Sequence, residues 1–498
     1  MSFADPALAR LALGQPPRVL DLFAGAGGIS LGFQRAGFRI DGAVEIDALA
    51  ARTHARNFGH DAMARDITLT EPESLGLEGV DVIVGGPPCQ AYARVGRAKL
   101  REVADHPSAY RVDPRGNLYL RYLAWVSALR PLALLVENVP DIMHYGGRNI
   151  VEEMAEALEA LGYDARYSLI NSAFHGCPQM RDRVFMIAYR RDLGVAVRFP
   201  AASRFMILPK GYAGTRAVAL KHIGPNFVPA DPGRADLPGP VTAREAIGDL
   251  PPILGESVRR GARRFSDISH YVKAADFSDY VQTMRTWPGF EAGAGVFDHV
   301  IRALPRDVPI FRAMRPGAEY PEAHETACGL AAAEAARLGI RAGTDAFRAL
   351  FARMVPPYDV GKFPNRWWKL DADQPVRTLM AHIGKDAYTH IHYDSAQGRT
   401  ISVREAARLQ GFPDGFGFEG TMNPAFRQIG NAVPPLMAAA IAATMRETLR
   451  EAVGRLATCH EAAGTGKGKS QQFGRGTTIE IPKPDGRPMA GVSSPATR

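Results

Sequence analysis

The chain has 498 residues, which is too long for one compact core and predicts two or three domains. Apolar residues make up 46% of it, and no apolar run is long enough to cross a bilayer, so we expect a cytoplasmic protein rather than a membrane or secreted one. The formal net charge of +8 favours a polyanionic partner without identifying it.

The first part of the chain alternates strand and helix patterns. Buried strands are predicted at 18–23, 40–46, 80–84, 132–136 and 183–189, and helices at 28–36, 117–129 and 151–161 and after an N-cap at Asp47. This alternation predicts an α/β fold with a doubly wound, mostly parallel sheet covered by helices, as in Rossmann-like proteins.

The pattern changes at about residue 191, where prolines and glycines become dense. We predict a second, smaller and irregular domain over 191–375. Helical spacing then returns, and apolar residues four apart predict a helix over 436–456. The last part, 376–456, is expected to pack back onto the first domain, 1–190. The remaining residues, 457–498, are rich in Gly, Ser, Lys and Pro and are expected to form a disordered tail.

The four cysteines are too widely spaced for a zinc pattern and indicate a reducing compartment. His390 and His392 lie one residue apart, but no cysteine or carboxylate cluster accompanies them. A structural or DNA-facing pair is therefore favoured over a metal site, and we expect no metal.

A glycine-rich turn over 21–28 joins the first strand to the first helix. Glycines here let the backbone approach a ligand, and the exposed N–H groups favour polar or anionic atoms. Glu45, at the end of the next strand, is placed to accept hydrogen bonds from a ribose diol, and Asp66 with Ile67 to bind an adenine amino group. Each carboxylate alone could equally cap a helix or a loop, but their common sheet edge favours a ligand. A phosphate loop is excluded because Gly-Lys-Ser/Thr is missing.

A chemically reactive group is predicted at the same edge. Cys89 follows an apolar strand in the segment 85–90, where two glycines and two prolines form a stiff, closely approachable loop. A free cysteine is more often a buried small hydrophobe. Glu137 ends another apolar strand, and burial there would raise its pKa. Arg181 and Arg183 precede a further strand, although isolated arginines are usually solvated surface charges.

In this order, the segments resemble the cytosine-5 DNA methyltransferase family. The resemblance covers about residues 18–190 and 374–445 and depends on these motifs: Asp21 to Gly28, Glu45, Asp66, Pro87-Pro88-Cys89-Gln90, Glu137-Asn138-Val139, Gln179-x-Arg181-x-Arg183, Arg404 to Gln410, and Gln428 to Pro435. It implies a Rossmann-like methyltransferase with S-adenosylmethionine as methyl donor and duplex DNA as substrate. Residues 191–375 would then be the target-recognition domain.

The resemblance also implies how the catalytic residues act. The thiolate of Cys89 would attack carbon 6 of a cytosine flipped out of the duplex, which activates carbon 5 for methylation. Glu137 would hydrogen-bond the ring nitrogen N3 and the amino group, and Arg183 with Arg181 would hold the base. The basic loop 91–115 would close over the DNA.

The same matching implies a cofactor pocket. Phe23 would lie against the adenine, and Gly25 and Gly27 near the amino-acid end. The complete expected set is Asp21, Phe23, Gly25, Gly27, Glu45, Asp66, Ile67, Pro88, Leu118, Asn431 and Val433.

Two positions depart from the family pattern. Tyr92-Ala93 stands where the family often has Phe-Ser, and Cys177 stands where an aliphatic residue is usual. Neither departure removes a catalytic group, but Cys177 is expected near the active-site rim, where it would complicate thiol labelling.

Three other functions remain open. A transfer-RNA cytosine-5 methyltransferase would share the motifs, but such enzymes usually have a smaller variable region than the roughly 180 residues found here. A small-molecule methyltransferase would not need the Cys89 loop, and a non-enzymatic DNA-binding relative would be expected to have lost Cys89 or Glu137. We therefore predict a sequence-specific DNA (cytosine-5-)-methyltransferase in restriction–modification or host DNA marking. It would be a nucleoid-associated monomer, with a cognate restriction endonuclease as candidate partner.

The target sequence cannot be read from the chain, because base contacts would come from the variable domain. Residues 366–369 and Thr378 are candidates for facing the DNA, although Trp367 and Trp368 fit a core equally well.

Overall fold

The computed structural model describes residues 5–59, 63–77, 79–88, 118–257, 268–272, 278–384 and 387–465. The predictions for Cys89, the loop 91–115 and residues 466–498 of the expected tail lie outside these residues. The described residues divide into two units, 5–454 and 455–465, and each is considered by itself.

A seven-stranded sheet organises the first unit. Its strands are β1 (Arg18–Leu22), β2 (Arg39–Glu45), β3 (Met63–Ala64), β4 (Val82–Gly85), β5 (Ala133–Asn138), β6 (Tyr163–Asn171) and β8 (Asp182–Arg190), in the order β3-β2-β1-β4-β5-β8-β6. Neighbours from β3 to β5 pair in parallel, whereas β8 is antiparallel to both β5 and β6. The predicted doubly wound, mostly parallel sheet is confirmed.

Two pairs of short strands lie outside this sheet in the described part of the chain. β7 (Gln179–Met180) pairs in parallel with β11 (Val376–Arg377), and β9 (Ser269–His270) pairs antiparallel with β10 (Gly295–Val296). The β7–β11 pair joins the part of the chain after residue 376 to the strand edge before β8.

The helices follow the same chain order. They are α1 (Pro6–Ala12), α2 (Gly28–Arg35), α3 (Ala48–Phe58), α4 (Leu118–Leu129), α5 (Ile150–Ala160), α6 (Lys210–Ala219), α7 (Ala243–Ile247), α8 (Asp279–Arg285), α9 (Val308–Ala313), α10 (Tyr320–Arg337), α11 (Asp345–Met354), α12 (Val403–Gln410), α13 (Met422–Asn431) and α14 (Pro435–Thr465). Asp47 caps α3, as predicted, by accepting hydrogen bonds from the N–H groups of Leu49 and Ala50.

Two core clusters cover different parts of the sheet and its surroundings. In the first, α4 and α5 pack against β1, β4, β5, β6 and β8. In the second, α2 packs with α7, α8, α12 and α13. Gly28 and Gly32 permit the close approach of α2 to the start of α14, because a Cβ at either position would clash with backbone atoms of residues 433–439. The early and late parts of the unit therefore share the second core cluster.

The segment 191–375 is more regular than the sequence predicted, because it contains the helices α6 to α11. The 18-residue α10 buries an alanine at every fourth position from Ala323 to Ala335. Small residues at this spacing form a packing face without the large apolar side chains on which periodicity is usually judged.

Several candidate DNA-facing or metal residues are core residues. Trp367 and Trp368 are buried, and the Lys369 ammonium donates to the carbonyl oxygens of Phe311 and Met314. The DNA-facing interpretation of these three positions is wrong. His390 and His392 are also buried, which leaves them a structural role. In the described part of the chain, no group of three or more His, Cys, Asp or Glu side chains is arranged to hold a metal.

Cys177 is fully buried, and burial raises the pKa of its thiol to about 12. Its burial does not fit the expectation that it would complicate thiol labelling, since only a thiolate reacts readily. Among the described residues, no helix is long and apolar enough to cross a membrane.

The second unit, 455–465, is helical and forms the end of α14. The predicted end of this helix at residue 456 falls short by nine residues, since the helix continues to Thr465. Alanines at 457, 462 and 463 favour the helix, and the first glycine after 454 is at 464.

Candidate active site

The glycine-rich turn and the loop that contains Cys89 begin side by side. β1 and β4 are parallel neighbours, and Leu22 at the end of β1 lies opposite Gly85 at the end of β4. A Cβ on Gly85 would clash with the carbonyl oxygen of Leu22, so this close pairing requires glycine. Cys89 itself lies outside the described residues, which reach Pro88.

A hydrogen bond connects the loop to the next strand. The side-chain amide of Asn138 donates to the carbonyl oxygen of Pro87 over 2.8 Å, and its Oδ1 accepts from the N–H of Val139 over 2.9 Å. Asn138 is buried, so water does not compete for these bonds. The residue next to Glu137 thus fixes the start of the Cys89 loop.

Glu137 and Arg183 form an ion pair at this edge. The Arg183 Nε lies 3.0 Å from the Glu137 Oε1, and each side chain is 13% exposed. Burial raises the pKa of Glu137 above its ordinary value, as predicted, while the charges of Arg183 and Arg181 oppose the rise. A Cβ on Gly86 would come within 3.0 Å of the Glu137 Oε2. The site therefore holds a carboxyl group that protonates more easily than usual, beside a fixed positive charge.

Arg181 does not share these surroundings. It is 1% exposed, and its guanidinium donates to the carbonyl oxygens of Leu379 over 2.8 Å and of Gly430 over 3.0 Å. Direct contact with a base, which was predicted together with Arg183, does not fit this geometry. Arg181 instead joins the strand edge to the returning part of the chain, and its charge acts on Glu137 at a distance.

The backbone of the glycine-rich turn is strained at one residue. Phe23 has φ of 61°, a region that non-glycine residues seldom adopt, and Gly25 and Gly27 have φ of 55° and 95°. Strain of this kind persists where the surroundings enforce it, and it clusters at ligand sites. A Cβ on Gly25 would meet no atom within 4 Å in the structure, so this side of the turn is open.

Glu45 braces the turn. Its Oε2 accepts from the N–H of Gly25 and its Oε1 from the N–H of Asp47, each over 2.8 Å. A carboxylate oxygen can accept more than one hydrogen bond, so both oxygens retain capacity for a ligand hydroxyl. The predicted ribose contact is compatible with this position.

Asp21 lies beneath the turn rather than on its open side. It is fully buried and accepts a hydrogen bond from the Ser30 Oγ over 2.6 Å. Burial raises its pKa to about 7, and the nearby charge of Glu45 adds to the rise. Ser30 also lies 3.0 Å from the His54 Nε2. Direct cofactor contact by Asp21, as predicted, does not fit its burial, and its position is that of a support.

The two residues predicted to bind the adenine amino group, Asp66 and Ile67, have different surroundings. Asp66 uses its Oδ1 to accept from the backbone N–H and the hydroxyl of Thr68. Ile67 is 4% exposed, and its carbonyl oxygen accepts from the buried Arg121. The exposed apolar side chain in this segment is Leu69, at 82%.

One residue of this edge was not predicted from the sequence. Ile46 directly follows Glu45 and is 70% exposed, which is unusual for a large apolar side chain beside a polar site. The sequence signal that could have identified Ile46 is an apolar residue immediately after a strand-end carboxylate.

The remaining predicted pocket residues come from three other segments. Pro88 and Asn431 are exposed, Leu118 is half-buried, and Val433 is buried beneath Gly28 at the start of α2. Asn431 ends α13, so the late part of the chain reaches the first helix after the glycine-rich turn.

Residues 17–224 and 351–447 match the model of the C-5 cytosine-specific DNA methylase family. The chain belongs to this family. The family assignment and the enzyme class predicted from the motifs, a DNA (cytosine-5-)-methyltransferase, are thereby confirmed. Members of the family use S-adenosylmethionine as methyl donor and DNA as substrate.

Individual relatives extend the similarity over most of the chain. The "Putative type II methyltransferase M.OihORF3336P" of Oceanobacillus iheyensis is 36% identical over 450 residues, which cover 87% of this chain and 96% of the relative. The type II methyltransferase M.AgeI of Thalassovita gelatinovora is 30% identical over 454 residues, or 86% of this chain and 99% of the relative.

A solved structure agrees with the fold. It is the crystal structure of a "putative DNA modification methyltransferase" encoded within a prophage (E. coli), with a TM-score of 0.56 and 25% identity. The match covers 87% of this chain and 99% of that one. The family model leaves 225–350 unmatched, and these residues lie inside the predicted second domain.

Proposed function

We propose that this methyltransferase modifies carbon 5 of a flipped-out cytosine within a specific duplex sequence, with Cys89 as nucleophile and Glu137 and Arg183 as its partners. The observation that carries the proposal is the Glu137–Arg183 ion pair, joined through Asn138 to the loop that leads to Cys89. This pair lies at the same sheet edge as the glycine-rich turn.

The chemistry assigned to these residues follows from their charges. As the Cys89 thiolate bonds to carbon 6, electron density moves into the ring and toward N3. Glu137, whose pKa is raised by burial, would take up a proton as the base binds and donate a hydrogen bond to N3, and Arg183 would offset the developing negative charge. After methylation, loss of the proton at carbon 5 breaks the carbon–sulfur bond and frees Cys89. S-adenosylmethionine supplies the electrophilic methyl group when it is bound.

The cofactor is proposed to lie over the open side of the glycine-rich turn. The strained Phe23 would offer its ring to the adenine, and Ile46 would cover the opposite face. Glu45 would accept from the ribose hydroxyls, with Asp66 near the adenine amino group. The open space at Gly25 supports this arrangement. Asp21 and Val433 are proposed to support the pocket rather than to contact the cofactor.

Residues 191–375 are proposed to form the domain that recognises the target sequence. Residues 1–190 and 376–456 are proposed to form the catalytic domain. The lack of a family match over 225–350 supports this division, because sequence readout differs among relatives. The names of the relatives as type II methyltransferases favour a restriction–modification role with a cognate endonuclease. A monomer acting on cytoplasmic, nucleoid DNA is proposed as well.

The proposal is tested by expressing the chain in a host without DNA methylation and sequencing its bisulfite-treated DNA. Methylcytosine confined to one short motif, and lost with Cys89→Ser, is expected. Calorimetric titration should show that Cys89→Ser still binds S-adenosylmethionine. Unmethylated DNA together with methylated transfer RNA would overturn the proposed substrate, and turnover by Cys89→Ser would overturn the proposed nucleophile.

A further inference from the structure

One stretch of the chain combines basic charge with unusual exposure. Residues 193–230 contain no aspartate or glutamate and five basic residues: Arg198, Arg204, Lys210, Arg216 and Lys221. In the middle of this stretch lies α6, which buries none of its ten residues, followed by the 3-10 turn Leu220–His222. Ala219 at the end of α6 and Leu220 after it pack, only partly buried, against the first core cluster, and specific polar contacts add to this attachment.

Those contacts attach α6 to the edge that carries the Glu137–Arg183 pair. The Tyr212 hydroxyl accepts a hydrogen bond of 2.9 Å from the N–H of Asp182, the residue between Arg181 and Arg183. Arg216 forms an ion pair with the Asp182 carboxylate, and its Nη2 donates to the carbonyl oxygen of Leu169 over 2.7 Å. Because Asp182 begins β8, α6 lies beside the first residue of the strand on which Arg183 stands.

The far end of the same segment reaches the turn that follows the strand that carries Glu137. The rings of His222 and His144 stack with their centroids 3.7 Å apart. His144 ends the 3-10 turn Pro140–His144, which follows β5 after Val139. Residues 210–222 therefore contact the first residue of the strand that carries Arg183 and the turn that follows the strand that carries Glu137.

The exposed charges of this segment are not neutralised by the protein. Lys210 and Lys221 are exposed, and within the described ranges neither forms an ion pair. Arg216 neutralises Asp182, which leaves Asp141 as an exposed carboxylate on the neighbouring turn. A basic surface beside a site that must admit one nucleotide fits the sugar–phosphate backbone of that nucleotide's duplex.

We propose that residues 210–222 bind the DNA backbone beside the flipped cytosine, with Lys210 and Lys221 each contacting a phosphate. The inference rests on the proposed function, since it takes the Glu137–Arg183 pair as the place where the cytosine is held. It assigns these lysines no part in reading the sequence, because phosphate contacts carry no base information.

The test is the salt dependence of binding to a duplex oligonucleotide of random sequence. Removal of one phosphate-binding charge should reduce the slope of log K against log salt concentration by about 0.9. The variant Lys210→Ala/Lys221→Ala should therefore have a slope lower by about 2, and the double change to Arg should restore it. The matched control is Arg52→Ala/Arg450→Ala, which removes two exposed charges from α3 and α14 and should leave the slope near that of the wild type.

An equal slope in the wild type and the lysine variant would overturn the proposal, as would equal reductions in the lysine variant and the control, which would indicate long-range attraction alone. Thermal melts establish that each variant is folded. Bisulfite sequencing of DNA methylated by the wild type distinguishes failure of this proposal from failure of the proposed function. A slope change without cytosine methylation would support the proposed DNA-binding surface but refute the proposed function.

Discussion

The side-chain amide of Asn138 donates its hydrogen bond to the carbonyl oxygen of Pro87, two residues before Cys89. This bond joins two motifs that are 51 positions apart in the sequence, and it relates the loop of the proposed nucleophile to Glu137. Positioning errors as small as about 1 Å can reduce catalysis about 100-fold, so we expect this single bond to affect the rate of methylation.

We expect Asn138→Ala to lower kcat by about 10- to 100-fold while binding of S-adenosylmethionine is retained, because the loop loses its attachment but the cofactor turn does not. Single-turnover methylation and calorimetric titration measure the two effects. Asn57→Ala serves as the control, since its amide bonds the backbone of Thr53 and Gly417 away from this edge. Unchanged methylation by Asn138→Ala would contradict the expected role of the bond.

Glu137→Gln should preserve the shape of the site but abolish its ability to hold and return a proton. We expect kcat to fall by about 10² to 10⁴, the usual contribution of an acid–base group, with DNA affinity within a few-fold of the wild type. Tritium transfer from labelled S-adenosylmethionine measures the rate. A variant that retains more than about a tenth of the wild-type rate would show that N3 needs no acid.

The strand ends that form the candidate active site were predictable, because the apolar runs before Glu45, Cys89 and Glu137 define strands of a parallel sheet. Such strands end at one edge, so the sequence alone places these residues together. The surroundings of Arg181 were not predictable. Its partners, the carbonyl groups of Leu379 and Gly430, are 198 and 249 positions away and carry no side-chain signal.

Residues that look equivalent in the sequence also differ in how deeply they are buried. Trp367 fits a core or a DNA surface equally well as a residue type, and its environment is decided by packing against Phe311 and Tyr388. Asp21 and Glu45 are both strand-borne carboxylates near the turn, yet one is fully buried and the other is only half-buried. Motif matching assigns both to a ligand because it records position and not exposure.

Arg408 is the centre of a buried charge network. Its guanidinium bonds the carboxylates of Asp249 and Asp414, and all three side chains are at most 5% exposed. We expect Arg408→Met to destabilise the protein by about 3–5 kcal/mol, because the buried Asp414 loses its ion-pair partner and Asp249 retains only Arg285. Urea unfolding measures the change. Arg348→Met on α11 removes an exposed ion pair and should cost no more than about 0.5 kcal/mol.

Cys177 should react with thiol reagents only when the protein unfolds, because burial raises its pKa to about 12 and excludes the reagent. Mass spectrometry after labelling at about pH 8, close to the pKa of an exposed thiol, is expected to find Cys177 unmodified in the native protein. Cys177→Ala should leave the methylation rate unchanged. Rapid native labelling of Cys177 would show that the region around it opens.

Buried histidines, among them His175 and His390, predict a loss of stability in acid. Burial lowers the pKa of His175 and of His390 to about 4 from an ordinary value of 6.5. Between these two values the unfolded chain therefore binds more protons than the folded one. The contribution of these groups to the free energy of unfolding is fully present above about pH 6.5, and it is lost as the pH decreases toward about 4. Each group accounts for at most about 3 kcal/mol of this loss.

Urea unfolding at a series of pH values between about 7.5 and 4.5 measures the slope of stability against pH. His390→Gln should make the slope shallower, since one fewer buried histidine takes up a proton on unfolding. The change His382→Gln, at an exposed position, is the control and should leave the slope as it is. A His390→Gln variant whose stability falls with pH as steeply as the wild type's would show that protonation of this histidine does not drive the loss.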